Sequence, residues 1–210
     1  MYLRRYTNGL DPQQVKELTY GWQHAARIGR PLNVMITIRP FEDRDPAAHN
    51  RLAARIKNKL GVYARLHGFP FVAAWSRECN EDGSGEHLHI LMHVPGRYYT
   101  DLSTTVIRWF PEPGATDVQR ANQKVTLTLA GKSMSSIGYI AKQMTPQAWY
   151  KRGLIRKRGG PVLGKRGGVT RNIGSVAINQ YFEALRPVPR RSDLYACNPQ
   201  SAASLLTRAA

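Results

Sequence analysis

The segment from Phe69 to Val94 constrains the fold more than any other part of the chain. Two apolar runs of strand character, Phe69–Glu78 (FPFVAAWSRE) and His87–Val94 (HLHILMHV), are joined by Cys79–Glu86. That connection holds Asn80, Asp82, Gly83, Ser84 and Gly85, the residue types of a hairpin turn. Around this hairpin the period alternates between two and 3.6. Asn33–Arg39 (NVMITIR) reads as a strand that Pro40 stops, and Val125–Leu129 (VTLTL) as another. Asp11-Pro12 and Asp45-Pro46 each place a capping carboxylate before a proline at the first helical position. The first helix carries Val15, Leu18, Trp22 and Ala25 on one face and ends near Gly29. The second carries Leu52, Ile56, Leu60, Tyr63 and Leu66 and ends at Gly68. Tyr99–Phe110 is a third, with Leu102, Val106 and Trp109 or Phe110 inward, and Ser133–Lys142 a short fourth with Ser133 as its cap.

From Asn33 to Leu129 the order is β-α-β-β-α-β, followed by a helix. The expected class is therefore α+β: a split-βαβ, ferredoxin-like antiparallel sheet flanked by helices, with its first and third strands adjacent in mid-sheet. The expected organisation is a folded domain over 1–145 with its core at 30–145, a basic arm and short helix packing on it over 146–186, and a flexible tail over 187–210. The arm, Lys151–Arg171, has eight Lys/Arg, six Gly and no acid, a composition that repels itself without a polyanion. Across all 210 residues, 31 Lys+Arg against 14 Asp+Glu leave +17, which favours nucleic acid as a partner. Two cysteines, Cys79 and Cys197, suit neither a disulfide framework nor a cysteine metal site and point to a reducing compartment. No apolar run reaches the roughly 18 residues of a membrane span, and no signal peptide is read after Met1. A cytoplasmic location is expected.

The chemistry concentrates in the hairpin. Residues two apart on a strand share a face, so His87 and His89 point the same way with Leu88 opposite. Glu78 closes the preceding strand and comes beside them, making two imidazoles and a carboxylate with open positions for water and a phosphate oxygen. Glu81, Asp82 and Glu86 are rival carboxylates; an acidic turn made for solubility is the plainer account of them. His93 faces the same side but lies about 13 Å along the strand from His89, too far to share an ion. Downstream, Tyr139 and Lys142 lie three apart on one helical face. Gly159-x-x-x-x-Gly164-Lys165 approaches a phosphate-binding loop, but Arg166 stands where Ser or Thr should hold magnesium and no strand precedes it.

His87-Leu-His89, Glu78 before it and Tyr139-x-x-Lys142 after it together resemble the HUH endonuclease superfamily, most closely its single-tyrosine replication initiators, over about residues 30–145. The resemblance implies a nuclease domain that nicks and joins single-stranded DNA at an origin or hairpin through a 5′-phosphotyrosine, as at the start of rolling-circle replication. It implies His87, His89 and Glu78 as ligands of Mg²⁺ or Mn²⁺, Tyr139 as nucleophile and Lys142 as its helper, favouring the anionic phenol. The tyrosine would sit on a helix after the last core strand. Lys151, Arg152, Arg156, Lys157, Arg158, Lys165, Arg166 and Arg171 are candidate phosphate contacts, and Trp149 a candidate stacking residue. A bacterial, phage or plasmid source is implied, with a host helicase as partner since no helicase motif is visible. A single-tyrosine transposase of the same superfamily and a non-catalytic RNA-recognition-like binding module are the competing readings.

Overall fold

A computed structural model describes residues 6–39, 45–121, 127–129, 132–152 and 155–185. The chain divides into two compact units, Met1–Ile178 and Asn179–Ala210. The first is built on a five-stranded antiparallel sheet. Its strands are β2 (Val34–Ile38), β3 (Ala73–Glu78), β4 (His87–Met92), β5 (Thr116–Arg120) and β9 (Gly167–Val169), in the order β5-β2-β4-β3-β9. A two-residue strand β1 (Tyr6–Thr7) pairs with β8 (Val162–Leu163), and β6 (Leu127–Leu129) pairs with β7 (Lys132–Met134). This is an α+β architecture compatible with a ferredoxin-like arrangement. Its first and third sheet strands, β2 and β4, are paired in the middle.

Each sheet face has its own core, as side-chain alternation requires. Val34, Ile36, Ile38, Leu88, Ile90, Met92, Ala73 and Trp75 face one way and pack under α2 (Pro46–Leu66) and α3 (Tyr99–Trp109). Met35, Leu91 and Ala74 face the other way, under α1 (Pro12–Arg27), α4 (Ser136–Ile140) and α5 (Pro146–Arg152). The helix starts are the expected ones. Asp11 accepts a hydrogen bond from Gln14 N and Asp45 from Ala47 N and Ala48 N. Gly29 and Gly68, just past the two helices, take φ of 69° and 70°, where a side chain is strained.

Four expectations need correction. The fourth sheet strand is Thr116–Arg120, not Val125–Leu129; Leu127–Leu129 pairs instead with β7, and residues 125–126 lie outside the described residues. An edge strand with one apolar residue, Val118, leaves almost no periodic signal. The short helix starts at Ser136 with Ser135, not Ser133, as its cap. The 155–171 stretch is not a loose arm: it supplies β8 and β9, and Gly160, Val162, Arg166, Gly167 and Gly168 are buried. Its glycines allow close contact, since a Cβ at Gly167 would stand 2.6 Å from Leu10 Cδ2 and 3.1 Å from the Trp75 carbonyl. Finally, α6 (Ser175–Ala184) forms as read, but none of its residues is fully buried. No helix among the described residues is long and apolar enough to cross a membrane.

A buried ion pair anchors the hairpin from the α2 side. Arg77 Nε donates to Glu86 Oε1 at 2.8 Å, and His49 on α2 lies 3.3 Å from the other oxygen. Arg77 Nη1 also donates to Asn50 Oδ1 and to the Leu163 carbonyl. Glu86→Ala leaves this guanidinium buried without its carboxylate and is expected to cost about 3–5 kcal/mol in denaturant unfolding. Glu81→Ala, exposed in the same turn, should change stability by less than about 0.5 kcal/mol.

Candidate metal centre

The hairpin register builds the site. Glu78 pairs with His87 and Ser76 with His89, so both imidazoles and the carboxylate emerge on the face opposite Leu88 and Arg77. One ligand atom from each of Glu78, His87 and His89 lies within 4.8 Å of the others, and the three can hold a metal ion. Glu78 Oε2 stands 3.5 Å from His87 Nε2 and 3.4 Å from His89 Nε2.

The outer contacts prepare these atoms. His87 Nδ1 lies 2.9 Å from the Gly85 carbonyl. A carbonyl only accepts, so that nitrogen carries the proton and Nε2 keeps its lone pair. His89 Nδ1 meets Thr37 Oγ1 at 2.9 Å, which turns its Nε2 toward Glu78 in the same way. Glu78 Oε1 is buried with no hydrogen-bond partner, while Oε2 faces both imidazoles and the Lys142 ammonium. A carboxylate with one orphaned buried oxygen beside two imidazoles is a ligand set that fits a divalent ion.

Lys142 reaches the cluster from the segment after α4. Its ammonium donates to Glu78 Oε2 and lies 3.5 Å from His89 Nε2 and 3.7 Å from the centre of the Tyr139 ring. Burial pushes the Glu78 carboxyl up, but its neighbours, His89 first, then His87 and the Lys142 ammonium, outweigh it and hold the group below the usual range. Burial depresses His89 to about 4, so its ring is neutral at neutral pH. Burial, and then Glu78 and Asp117, push the Tyr139 phenol up, with Arg39 acting the other way. The phenol is therefore protonated here, with Lys142 lying over its ring and on Glu78.

The Tyr139 ring stands 5.3 Å from that of His89, edge-on, and His87 and His89 are 4.7 Å apart in the same manner. Gln143, which no motif or periodicity marks, fixes this approach. Its side chain donates to the Cys79 carbonyl at 2.7 Å and accepts from Cys79 N at 3.2 Å, clamping the α4 segment to the residue after Glu78. Arg166 Nη1 donates to the same Gln143 oxygen at 2.9 Å. Thr37 was legible as the one polar residue of an apolar strand; Gln143 carried no such mark.

The rivals fall away for separate reasons. Glu86 faces α2 and is engaged by Arg77 and His49; Asp82 accepts from Ser84 N and Oγ within the turn, and Glu81 is exposed. His93 Nδ1 is bound to the Pro31 carbonyl, away from the cluster. Tyr98 and Tyr99 pack on the α2 side of the sheet, while the Tyr150 side chain lies outside the described residues. Of the candidate DNA contacts, Lys157, Arg158, Lys165 and Arg171 are exposed, as is Trp149 at 46%. Arg156 is half-buried and donates to the Met144 carbonyl. The side chains of Lys151 and Arg152 lie outside the described residues. Arg166 is fully buried, its guanidinium donating to Gln143, the Thr7 carbonyl and the Gly160 carbonyl. It is a structural residue and not a DNA contact. Comparisons with protein-family models, curated proteins and solved structures find no match.

In a Mn²⁺ titration of the full chain, Glu78→Ala, His87→Ala and His89→Ala should each abolish the site, and Asp82→Ala should leave it intact. Thr37→Val, which keeps the shape but removes the Nδ1 partner, should weaken the metal by about 10–100-fold. Unchanged affinity in Glu78→Ala would move the third ligand elsewhere.

Proposed function

We propose that this chain is a metal-dependent endonuclease and strand transferase of the HUH type, nicking and rejoining single-stranded DNA as in initiation of rolling-circle replication. The observation that carries the reading is the edge-on approach of Tyr139 to His89, 5.3 Å from ring to ring, beside the carboxylate–imidazole cluster. The strand order β5-β2-β4-β3 supports a split-βαβ frame, with the tyrosine on a helix that follows β5 and precedes the added edge strand β9. A binding module that reads bases on its open sheet face has less support. Met35, Thr37, His89 and Leu91, on the central strands of the face toward Tyr139, are buried and none is a stacking aromatic.

A divalent cation, Mg²⁺ or Mn²⁺, when held by Glu78, His87 and His89, polarises a non-bridging phosphate oxygen and fixes the phosphodiester. Tyr139 Oη attacks phosphorus, and the bond to the 3′ oxygen breaks. The phenolic proton passes in balance to that oxygen, giving a 5′-phosphotyrosyl link and a free 3′-OH. Because burial keeps the phenol protonated beforehand, the proton leaves as the new bond forms. The link retains the phosphodiester bond energy, so attack by a 3′-OH reverses the step without ATP. Lys142 is the cation nearest the cluster and supplies further positive charge beside the phosphate. Lys157, exposed, is tied to the site by its backbone N–H, which donates to the Lys142 carbonyl at 2.8 Å; Arg158, Lys165 and Arg171 are further exposed cations of the same segment.

With single-stranded DNA and Mn²⁺, the wild-type chain should form a covalent adduct on a denaturing gel. Tyr139→Phe should form none while keeping its fold, metal affinity and DNA binding. An adduct that persists in Tyr139→Phe would contradict the assignment and point to Tyr150. Changing Lys157, Arg158, Lys165 and Arg171 to Gln should flatten the salt dependence of DNA binding by about 0.7 in slope for each phosphate contact removed. An unchanged slope would place the DNA elsewhere.

A further inference from the structure

The stripe expected along α2 ended in Leu66 as an inward residue, and the structure turns it outward. Leu66 is 78% exposed and Val62 44%. The two lie together on one contiguous surface, the kind of exposed apolar patch that marks a contact site. Arg55, Lys59, Val62 and Leu66 follow one another along one line of α2, facing Thr105 and Trp109 of α3 across a groove of about 420 Å³. The Leu66 end of the line is apolar and the Arg55 end cationic. Lys59 Nζ lies 4.9 Å from the centre of the Trp109 ring, so the ring's polar neighbour is a cation, and no acidic residue lines the groove.

We propose that this groove receives an acidic amphipathic helix of a partner protein. A channel between two helices, apolar along one end and basic along the other, suits a third helix that presents apolar residues at i, i+3, i+4 and i+7 with carboxylates beside them. The alternative of a second copy of this chain is opposed by charge. Every copy carries +17 and the groove is lined by cations with no acid to offset them, so two copies brought together here repel, whereas an acidic partner is attracted. The groove lies on the α2–α3 side of the sheet, and Glu78, His87 and His89 on the opposite side, so a helix seated here leaves the metal cluster open. The partner surface thus stands whether or not the nuclease reading does.

The test uses a fluorescein-labelled synthetic peptide with Leu at i, i+3, i+4 and i+7 and Glu at the remaining positions, and a counterpart with Lys for Glu. Anisotropy with the full chain should show saturable binding of the Glu peptide only. Leu66→Glu and the double variant Arg55→Glu/Lys59→Glu should each weaken it by at least about tenfold. Both changes are on exposed positions, and circular dichroism and Mn²⁺ binding at wild-type levels confirm the fold. Binding weaker than about 1 mM, or equal binding by wild type and both variants, would overturn the proposal. So would a dimer in sedimentation that Leu66→Glu dissociates, which would assign the groove to a second copy. Binding to phosphatidylglycerol vesicles that Leu66→Glu abolishes, with no peptide binding, would assign it to a membrane surface and overturn it equally.

Discussion

Everything in the metal centre depends on the register of one hairpin, in which Glu78 stands opposite His87 and Ser76 opposite His89. A slip of one residue would carry Glu78 to the other face of the sheet and leave the two imidazoles without a carboxylate. Several features hold the register. Gly83 and Gly85 take φ of 87° and 60° in the turn. Arg77 and Glu86, one on each side of the turn, are tied together beneath it. The loop at Gly160 packs so closely against the backbone of the turn at Asn80 and Gly83 that a Cβ there would collide. The hairpin is clamped from both faces, which is the preorganisation that a metal and a phosphate require.

The two buried carboxylates at its ends show how differently the same group is used. Glu86 has both oxygens engaged, one by Arg77 and one by His49. Its partner is a guanidinium that is always charged and geometrically fixed, which suits a permanent anchor. Glu78 has two imidazoles and an ammonium crowded at one oxygen and leaves the other with no partner. Its strongest partner is an ammonium on a flexible stem, which can exchange one oxygen for another. The satisfied carboxylate belongs to the fold, and the under-satisfied one to the chemistry. Around it the environment keeps His89 neutral and Glu78 ionised, the protonation states that holding a metal would require.

Much of this was legible in the sequence because it rests on periodicity. Alternation alone put His87 and His89 on one face, and the Asp-Pro pairs marked both long helices. What was not legible rests on tertiary contact. Thr116–Arg120 is an edge strand whose only apolar residue is Val118, so no alternation announced it. Leu66 continues the spacing of Leu52, Ile56 and Tyr63, yet it lies at the last residue of α2 and points into solvent. The Lys151–Arg171 composition suggested a solvated arm, because glycines that permit close packing and glycines that permit mobility are spelled alike. Arg166 is buried there with its guanidinium hydrogen-bonded to Gln143, Thr7 and Gly160, and the first two lie far from it in the sequence.

The most direct test of the central claim, that Glu78, His87 and His89 form one metal site, is anomalous diffraction from crystals of the full chain soaked in Mn²⁺. The account predicts a single strong peak shared by the Nε2 atoms of His87 and His89 and a carboxylate oxygen of Glu78, with the Lys142 ammonium withdrawn from that oxygen. A peak on Asp82 or Glu81 instead, or no peak with Lys142 still seated on Glu78, would contradict it.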